Sequence, residues 1–277
     1  MAVLIRQVQG KIYFDKFDSL DGWTEEEDLR NSFGFWGPWG DLSYTQQVTN
    51  PAYSPSFALE ARIECHDNNS GDLPSGRYLR RTRDITIPVG VTSVRMQVRH
   101  RWYRTLSTMA MARKITLGAQ AFLNQQATDS QDTWYFMNAT VSTSAGSKTL
   151  LVGVESYATV SPLKNNVQKH WFDDLVIARG TTIEVSGLSA GYKAKLYDPS
   201  DTLIAEATES GGTATIDIAS EPYPIVGRIK ITDGSDVVLF TSALYDDLFG
   251  GDEFLFASTG TVLKASTDYY VIYKAAA

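Results

Sequence analysis

The chain has 277 residues, 43% of them hydrophobic, and a net charge of −7. That is apolar material enough for a substantial core and too much for a disordered chain. Cys65 is the only cysteine and His66, His100 and His170 are the only histidines, far apart in sequence, which argues against disulfides, cysteine-rich zinc sites and chemistry that needs several imidazoles.

In chain order, Met1 to Gly10 turns polar too soon for the apolar core of a secretory signal. Either a signal has been removed, or the protein leaves its cell by virion assembly or lysis, or it stays inside. No apolar run is long enough to cross a bilayer, so membrane insertion is not expected. Phe14-Asp15-Lys-Phe17-Asp18-Ser-Leu-Asp21-Gly22-Trp23 reads as a strand leading into a turn. The next acidic stretch, Glu26-Glu-Asp28-Leu-Arg-Asn31, sits among turn residues. Phe33 to Asp41 packs two Trp, two Phe and three Gly into a short segment.

Period-two alternation then dominates. In Ser93–Arg104, Val94, Met96, Val98, His100 and Trp102 point one way, and Arg95, Gln97, Arg99, Arg101 and Tyr103 the other. One strand thus carries an apolar face and a cationic one. Residues 76–83 are similar in style, with Arg80 and Arg81 as candidates for a neighbouring strand. Thr105 to Lys114 tolerates either a short helix or a strand bend. Leu117 to Leu123, Thr133 to Val141, Thr149 to Tyr157 and Trp171 to Ala178 read as further strands, separated by loops rich in Gly, Ser, Asn, Asp and Pro.

A boundary is expected near Arg179-Gly180. Lys+Arg number 19 against 18 Asp+Glu up to Gly180, and 6 against 14 from Thr181 onward. Beyond it, short strands recur between turns such as Asp198-Pro-Ser-Asp201 and Asp233-Gly-Ser-Asp236, the rhythm of a small Ig-like or transthyretin-like sandwich. Gly250 to Lys274 holds two more apolar runs, free to complete that module, return to the first or pair with another subunit.

Phe14-Asp15…Gly22-Trp23 and the later His170-Trp171-Phe172-Asp173-Asp174-Leu-Val-Ile177 together resemble the opening and closing strands of jelly-roll carbohydrate-binding modules and the concanavalin A-like lectin and glucanase superfamily. The resemblance spans roughly residues 10 to 180. It implies a jelly-roll sandwich for the first module, and with the strand rhythm beyond Gly180 the expectation is an all-β fold: a jelly roll over 1–180, an Ig-like sandwich over 181–249 and a C-terminal strand extension over 250–277. The resemblance further implies that the first and last strands of the jelly roll pair. It also implies a structural Ca2+ held by Asp18 and Asp174, with Asp15 or Asp173 as alternates; calcium would need backbone and water oxygens besides. The plainer reading has these aspartates bonding local backbone.

Two binding candidates follow. The aromatic segment, with Phe35, Trp36, Trp39 and Asp41 and the nearby Tyr44, Gln46 and Gln47, is suited to stacking on sugar rings, to core packing or to a subunit contact. The cationic face (Arg95, Arg99, Arg101) suits acidic sugars, an acidic protein, the acidic C-terminal half or plain solvent; nucleic acid is disfavoured by the near-neutral charge around it. The glucanase-type pattern Glu-x-Asp-x-x-Glu is broken, because Asn31 replaces its last Glu. Serine-nucleophile, phosphate-loop and zinc-protease motifs are missing as well. The expectation is a non-catalytic, homo-oligomeric protein of an extracellular surface or virion exterior (decoration, turret or tail-associated), attaching to a host or glycan. A polysaccharide-active enzyme and a purely structural subunit are the alternatives.

Overall fold

The computed structural model describes residues 2–28, 44–53, 57–65, 76–105, 111–126, 131–156, 166–257 and 270–271. Among them every regular element is a strand. The chain opens with β1 (Val3–Val8), β2 (Lys11–Asp15), β3 (Thr24–Glu27), β4 (Tyr44–Val48), β5 (Ala58–Cys65), β6 (Tyr78–Ile87) and β7 (Ser93–Arg104). It continues with β8 (Met111–Leu117), β9 (Gln120–Gln126), β10 (Tyr135–Ser142), β11 (Gly146–Ser156) and β12 (Asn166–Ala178). The last nine are β13 (Thr182–Ser186), β14 (Lys193–Tyr197), β15 (Leu203–Thr208), β16 (Thr213–Asp217), β17 (Ile225–Thr232), β18 (Val238–Thr241), β19 (Tyr245–Leu248), β20 (Glu253–Ala257) and β21 (Tyr270–Val271).

The all-β expectation holds, and the strands form two compact units. One is Tyr13–Val176, a jelly-roll-type sandwich of two sheets. Its first sheet runs β10-β7-β12-β5-β4, with β2 also on β12, so the two motif strands do pair. The second runs β3-β6-β11-β8-β9. The pleat sorts side chains as alternation predicts. Val94, Met96, Val98, Leu59, Ala61 and Phe172 from the first sheet are buried, as are Leu79, Ile115, Leu150, Val152 and Val154 from the second. Between Thr105 and Lys114, the four residues from Met111 belong to a strand, while 106–110 lie outside the described residues. The expected strand over Leu117 to Leu123 is instead a hairpin, because Gly118 takes a positive φ and turns β8 into β9.

The other unit joins Met1–Ile12 to Ile177–Ala277. Met1–Ile12, expected in the jelly roll, is thus grouped with the strands that follow Ile177, and no separate unit begins at 250. Its five-stranded sheet runs β16-β13-β20-β1-β21, so Glu253–Ala257, expected in a separate extension, lies mid-sheet, parallel to β13 and antiparallel to β1. A second five-stranded sheet, β15-β14-β17-β18 with β19 also on β17, completes the sandwich, with Phe240 and Phe256 meeting edge to face at 5.9 Å. The expected turns stand, with Asp201 and Asp236 at positive φ.

β1 belongs here because it carries Leu4 and Ile5 into this core and brings a buried cation with them. The Arg6 guanidinium donates to Asp252 through Nε (3.2 Å) and Nη2 (2.5 Å), and to Asp247 through Nη1 (2.8 Å). Asp252, wholly buried, also accepts from the backbone N–H groups of Gly10 (2.5 Å) and Phe249 (2.9 Å). Every oxygen of that carboxylate is occupied, which a buried charge requires. The backbone crowds so closely that a Cβ added at Gly10 would collide with the Gly250 carbonyl.

Breaking one side of a buried pair leaves the other charge uncompensated. Arg6→Met should therefore destabilise this unit by about 3 kcal/mol or more in urea unfolding, whereas Arg6→Met with Asp252→Leu should recover part of the loss. A single variant within about 0.5 kcal/mol of the parent would remove the pair's structural role.

Candidate functional site

The outer side of the six-stranded sheet in the Tyr13–Val176 unit is unusual for a solvent face. On β7 the residues that leave the core are Arg95, Gln97, Arg99 and Arg101. β10 is antiparallel to it and sets Phe136 opposite Arg99, Asn138 opposite Gln97 and Thr140 opposite Arg95. Directly opposed residues share a face, so the arginines and Phe136 stand side by side.

At the middle of the face lies Trp171 of β12. Its indole N–H donates to Glu60 Oε2 of β5 at 2.6 Å, and the two residues are cross-strand partners. Lys169 Nζ lies 3.8 Å from the same oxygen and 5.9 Å from the indole ring, and Arg101 sits 5.3 Å over that ring. Arg101 is also paired with Asp132 at 3.1 Å. Trp171 and Glu60 are buried although they leave the outer side. This cluster is a closed, self-satisfied centre.

Toward β10 the face opens. Tyr53, 47% exposed, meets Trp134 edge to face at 5.9 Å. The Arg99 guanidinium lies between two rings, 4.3 Å from Tyr53 and 4.6 Å from Phe136. Tyr53 is held there by its backbone N–H, which donates to Asp173 Oδ2 at 2.8 Å. Asp173 Oδ1 accepts the Asp174 N–H at 2.7 Å. Three rings, one stacked cation and the exposed Asn138 amide thus form a ledge. Its parts come from β7, β10 and the segment after β4.

Several expected positions fall elsewhere. Phe35, Trp36, Trp39 and Asp41 lie outside the described residues, as does His66. Tyr44 begins β4 opposite Arg62, and Gln46 is exposed opposite Glu60, so β4 does belong to this sheet. Arg80 and Arg81 correct the expectation of a strand beside β7: β6 is in the other sheet, where Arg80 pairs with Glu26 and Arg81 with Glu25. Glu26 and Glu27 lie on strand β3, not among turn residues. Asp18 is exposed beyond β2, while Asp15 does the bonding there, accepting from Phe17 N–H (2.6 Å) and Trp23 Nε1 (2.9 Å). Among the described residues no three His, Cys, Asp or Glu side chains converge as a metal site. Asp173 accepts one local backbone N–H, from Asp174, and one remote one, from Tyr53.

The two described histidines, 70 residues apart, meet in the core of this unit. Arg113 Nη1 lies 2.9 Å from His100 Nδ1, His100 Nε2 lies 3.0 Å from His170 Nδ1, and the Gln168 amide lies 2.6 Å from His170 Nε2. A guanidinium only donates, so His100 Nδ1 accepts and its hydrogen sits on Nε2. His170 then accepts at Nδ1 and carries its hydrogen on Nε2, which faces Gln168 Nε2 at 2.6 Å; the pair is a hydrogen bond once the Gln168 amide is turned to present its oxygen. Burial, and then the neighbouring Arg113 charge, lower the His170 pKa to about 3; the same causes, with His170 itself, lower His100. This is a neutral packing chain inside the core, facing away from the ledge.

No family model and no curated protein matches the chain. Among solved structures it is similar to an endo-β-1,4-glucuronan lyase from the fungus Trichoderma reesei, at 10% identity and a TM-score of 0.35, over 56% of this chain and 94% of that one. A carbohydrate-binding module of the β-sandwich superfamily is similar at 12% identity and TM-score 0.36, over 61% of this chain and 62% of that one. A carbohydrate-binding module that recognises mannan is similar at 10% identity and TM-score 0.32, over 64% and 98%. Likenesses of this degree carry no ligand or reaction over to this chain.

The histidine chain makes stability acid-sensitive. Both folded-state pKa values are depressed, so below about pH 6.5 the unfolded chain takes up protons that the folded chain refuses. Stability is full above that pH and falls below it, by up to about 1.4 kcal/mol per pH unit for each histidine. Unfolding free energy should drop by about 2 kcal/mol between pH 7 and 5.5, and His100→Gln with His170→Gln should flatten that slope. An equally steep slope in the double variant would assign the acid sensitivity to other groups.

Proposed function

We propose that the outer face of the six-stranded sheet binds glycan and does not cleave it. One observation carries this reading: an accessible ledge of Tyr53, Trp134 and Phe136 around the Arg99 guanidinium, beside the exposed amide of Asn138. Pyranose rings offer flat C–H faces that stack on aromatic rings, and their hydroxyls need hydrogen-bond partners at the ring edge. A few rings with well-placed polar groups supply both. Cross-strand pairing and the Asp173 bond hold the ledge in place before any ligand arrives, which lowers the entropy cost of binding.

Support for binding without catalysis comes from the carboxylates of the same face. Glu60 is engaged by Trp171 and Lys169, Asp132 by Arg101, and Asp173 by two backbone N–H groups. Glycoside cleavage asks for a pair of carboxyl groups flanking the scissile bond, one of them able to protonate it. Committed carboxylates suit holding the face in shape. In this proposal the protein is displayed on an extracellular surface or virion exterior, with the smaller sandwich as its spacer and further copies as its neighbours.

Affinity electrophoresis against a panel of soluble polysaccharides tests the reading. Binding to at least one of them is expected, and Tyr53→Ala should weaken it about tenfold, which is about 1.4 kcal/mol, with the thermal midpoint retained. If Trp36→Ala or Trp39→Ala removes binding while Tyr53→Ala does not, the site moves to the aromatic segment. New reducing ends released from the bound chain would contradict the non-catalytic part.

A further inference from the structure

We infer that the glycan taken by this face is acidic, and that Arg99 reads its uronate carboxylate. The inference rests on the proposed glycan-binding role of the ledge and adds the chemical class of the ligand. Its basis is a difference among three arginines that alternate along one strand face. The Arg95 guanidinium is bonded to Asn138 Oδ1, and that of Arg101 is ion-paired with Asp132 at 3.1 Å while lying over Trp171. Arg99 has ring contacts on both sides, Tyr53 at 4.3 Å and Phe136 at 4.6 Å, and no hydrogen bond or ion pair among the described residues.

That arrangement has a directional consequence. A guanidinium is planar and carries five N–H donors in its own plane. The neighbouring rings stabilise the charge in part, but an aromatic ring accepts no in-plane hydrogen bond from the N–H donors. The donors are therefore held ready for acceptors that approach in the plane. A carboxylate meets such a fork with two parallel, charge-assisted bonds, whereas a neutral hydroxyl offers one weaker bond. The nearest carboxylates on the face do not compete, because Asp132 is turned to Arg101 and Asp173 to backbone N–H groups. The flanking rings would then stack on the same or the adjoining sugar.

The unit that bears this face also differs from the chain as a whole. The protein is acidic, at −7, but Tyr13–Val176 is near neutral, with 16 Lys+Arg against 18 Asp+Glu. A polyanion is therefore repelled little by this half of the chain and meets an outward row of arginines.

Isothermal titration with the full chain separates the possibilities. The probes are oligosaccharides of pectate, alginate and glucuronan, the same chains after carboxyl reduction, and a sulfated galactan. At least one uronate chain should bind tenfold or more tighter than its carboxyl-reduced form. Arg99→Lys keeps a positive charge and loses the fork, and should bring that ratio to about 1, with an unchanged near-ultraviolet circular dichroism spectrum showing that it still folds. Equal binding of uronate and reduced chains would overturn the inference and leave the glycan-binding reading intact. Tightest binding to the sulfated galactan would overturn it in favour of a sulfate ester. Binding to none of these probes or to the polysaccharide panel would overturn both.

Discussion

The pleat of β7 is the constraint from which the Tyr13–Val176 unit follows. A strand must send successive side chains to opposite sides, and a two-layer sandwich can bury only one of those sides. Val94, Met96, Val98, His100 and Trp102 accordingly build the core, and Arg95, Arg99 and Arg101 are driven outward together. Both special features of the unit hang on that division. Inward, His100 is placed where Arg113 of the other sheet and His170 of β12 complete a hydrogen-bonded chain. Outward, Arg99 is placed where β10 sets Phe136 beside it. A one-residue slip of β7 would exchange the two faces and destroy both.

Two buried carboxylates are given geometry, not merely a neighbour. Asp252 accepts from Arg6 and from two backbone N–H groups, and Glu60 accepts from an indole with a lysine close by. Satisfied groups of this kind hold their surroundings rigid, and they leave little freedom for proton transfer. Arg99 differs from these groups, since its contacts are two aromatic rings and no described residue accepts its N–H donors. That contrast is the physical argument for a binding face.

Much of the fold was legible in the sequence, because alternation along β7 is a local signal that the pleat obeys, and β10, β11 and β12 stand out as apolar runs between turn-rich loops. The pairing of β2 with β12 was legible through two motifs at the right separation. Partnerships without a local signature were not. Nothing in Val3–Val8 says that it pairs with Glu253–Ala257 across the length of the chain, so Met1–Ile12 was read with the jelly roll instead of with the C-terminal strands. The cationic face was readable from spacing, but Tyr53, Trp134 and Phe136 were not readable as a ledge, since each sits in an ordinary context and only strand pairing gathers them. The Trp-Tyr-Phe run at 134–136 was the available hint. The Asp-Asp pair of β12 carried a message of a different kind: Asp173 anchors the backbone of Tyr53.

A crystal structure of the protein with a bound oligouronate tests the central claim most directly. The account predicts a sugar ring stacked on Tyr53 or Phe136, with its carboxylate within about 3 Å of two Arg99 nitrogens. A sugar seated away from β7 and β10, or one whose carboxylate points into solvent while Arg99 stays uncontacted, would contradict it.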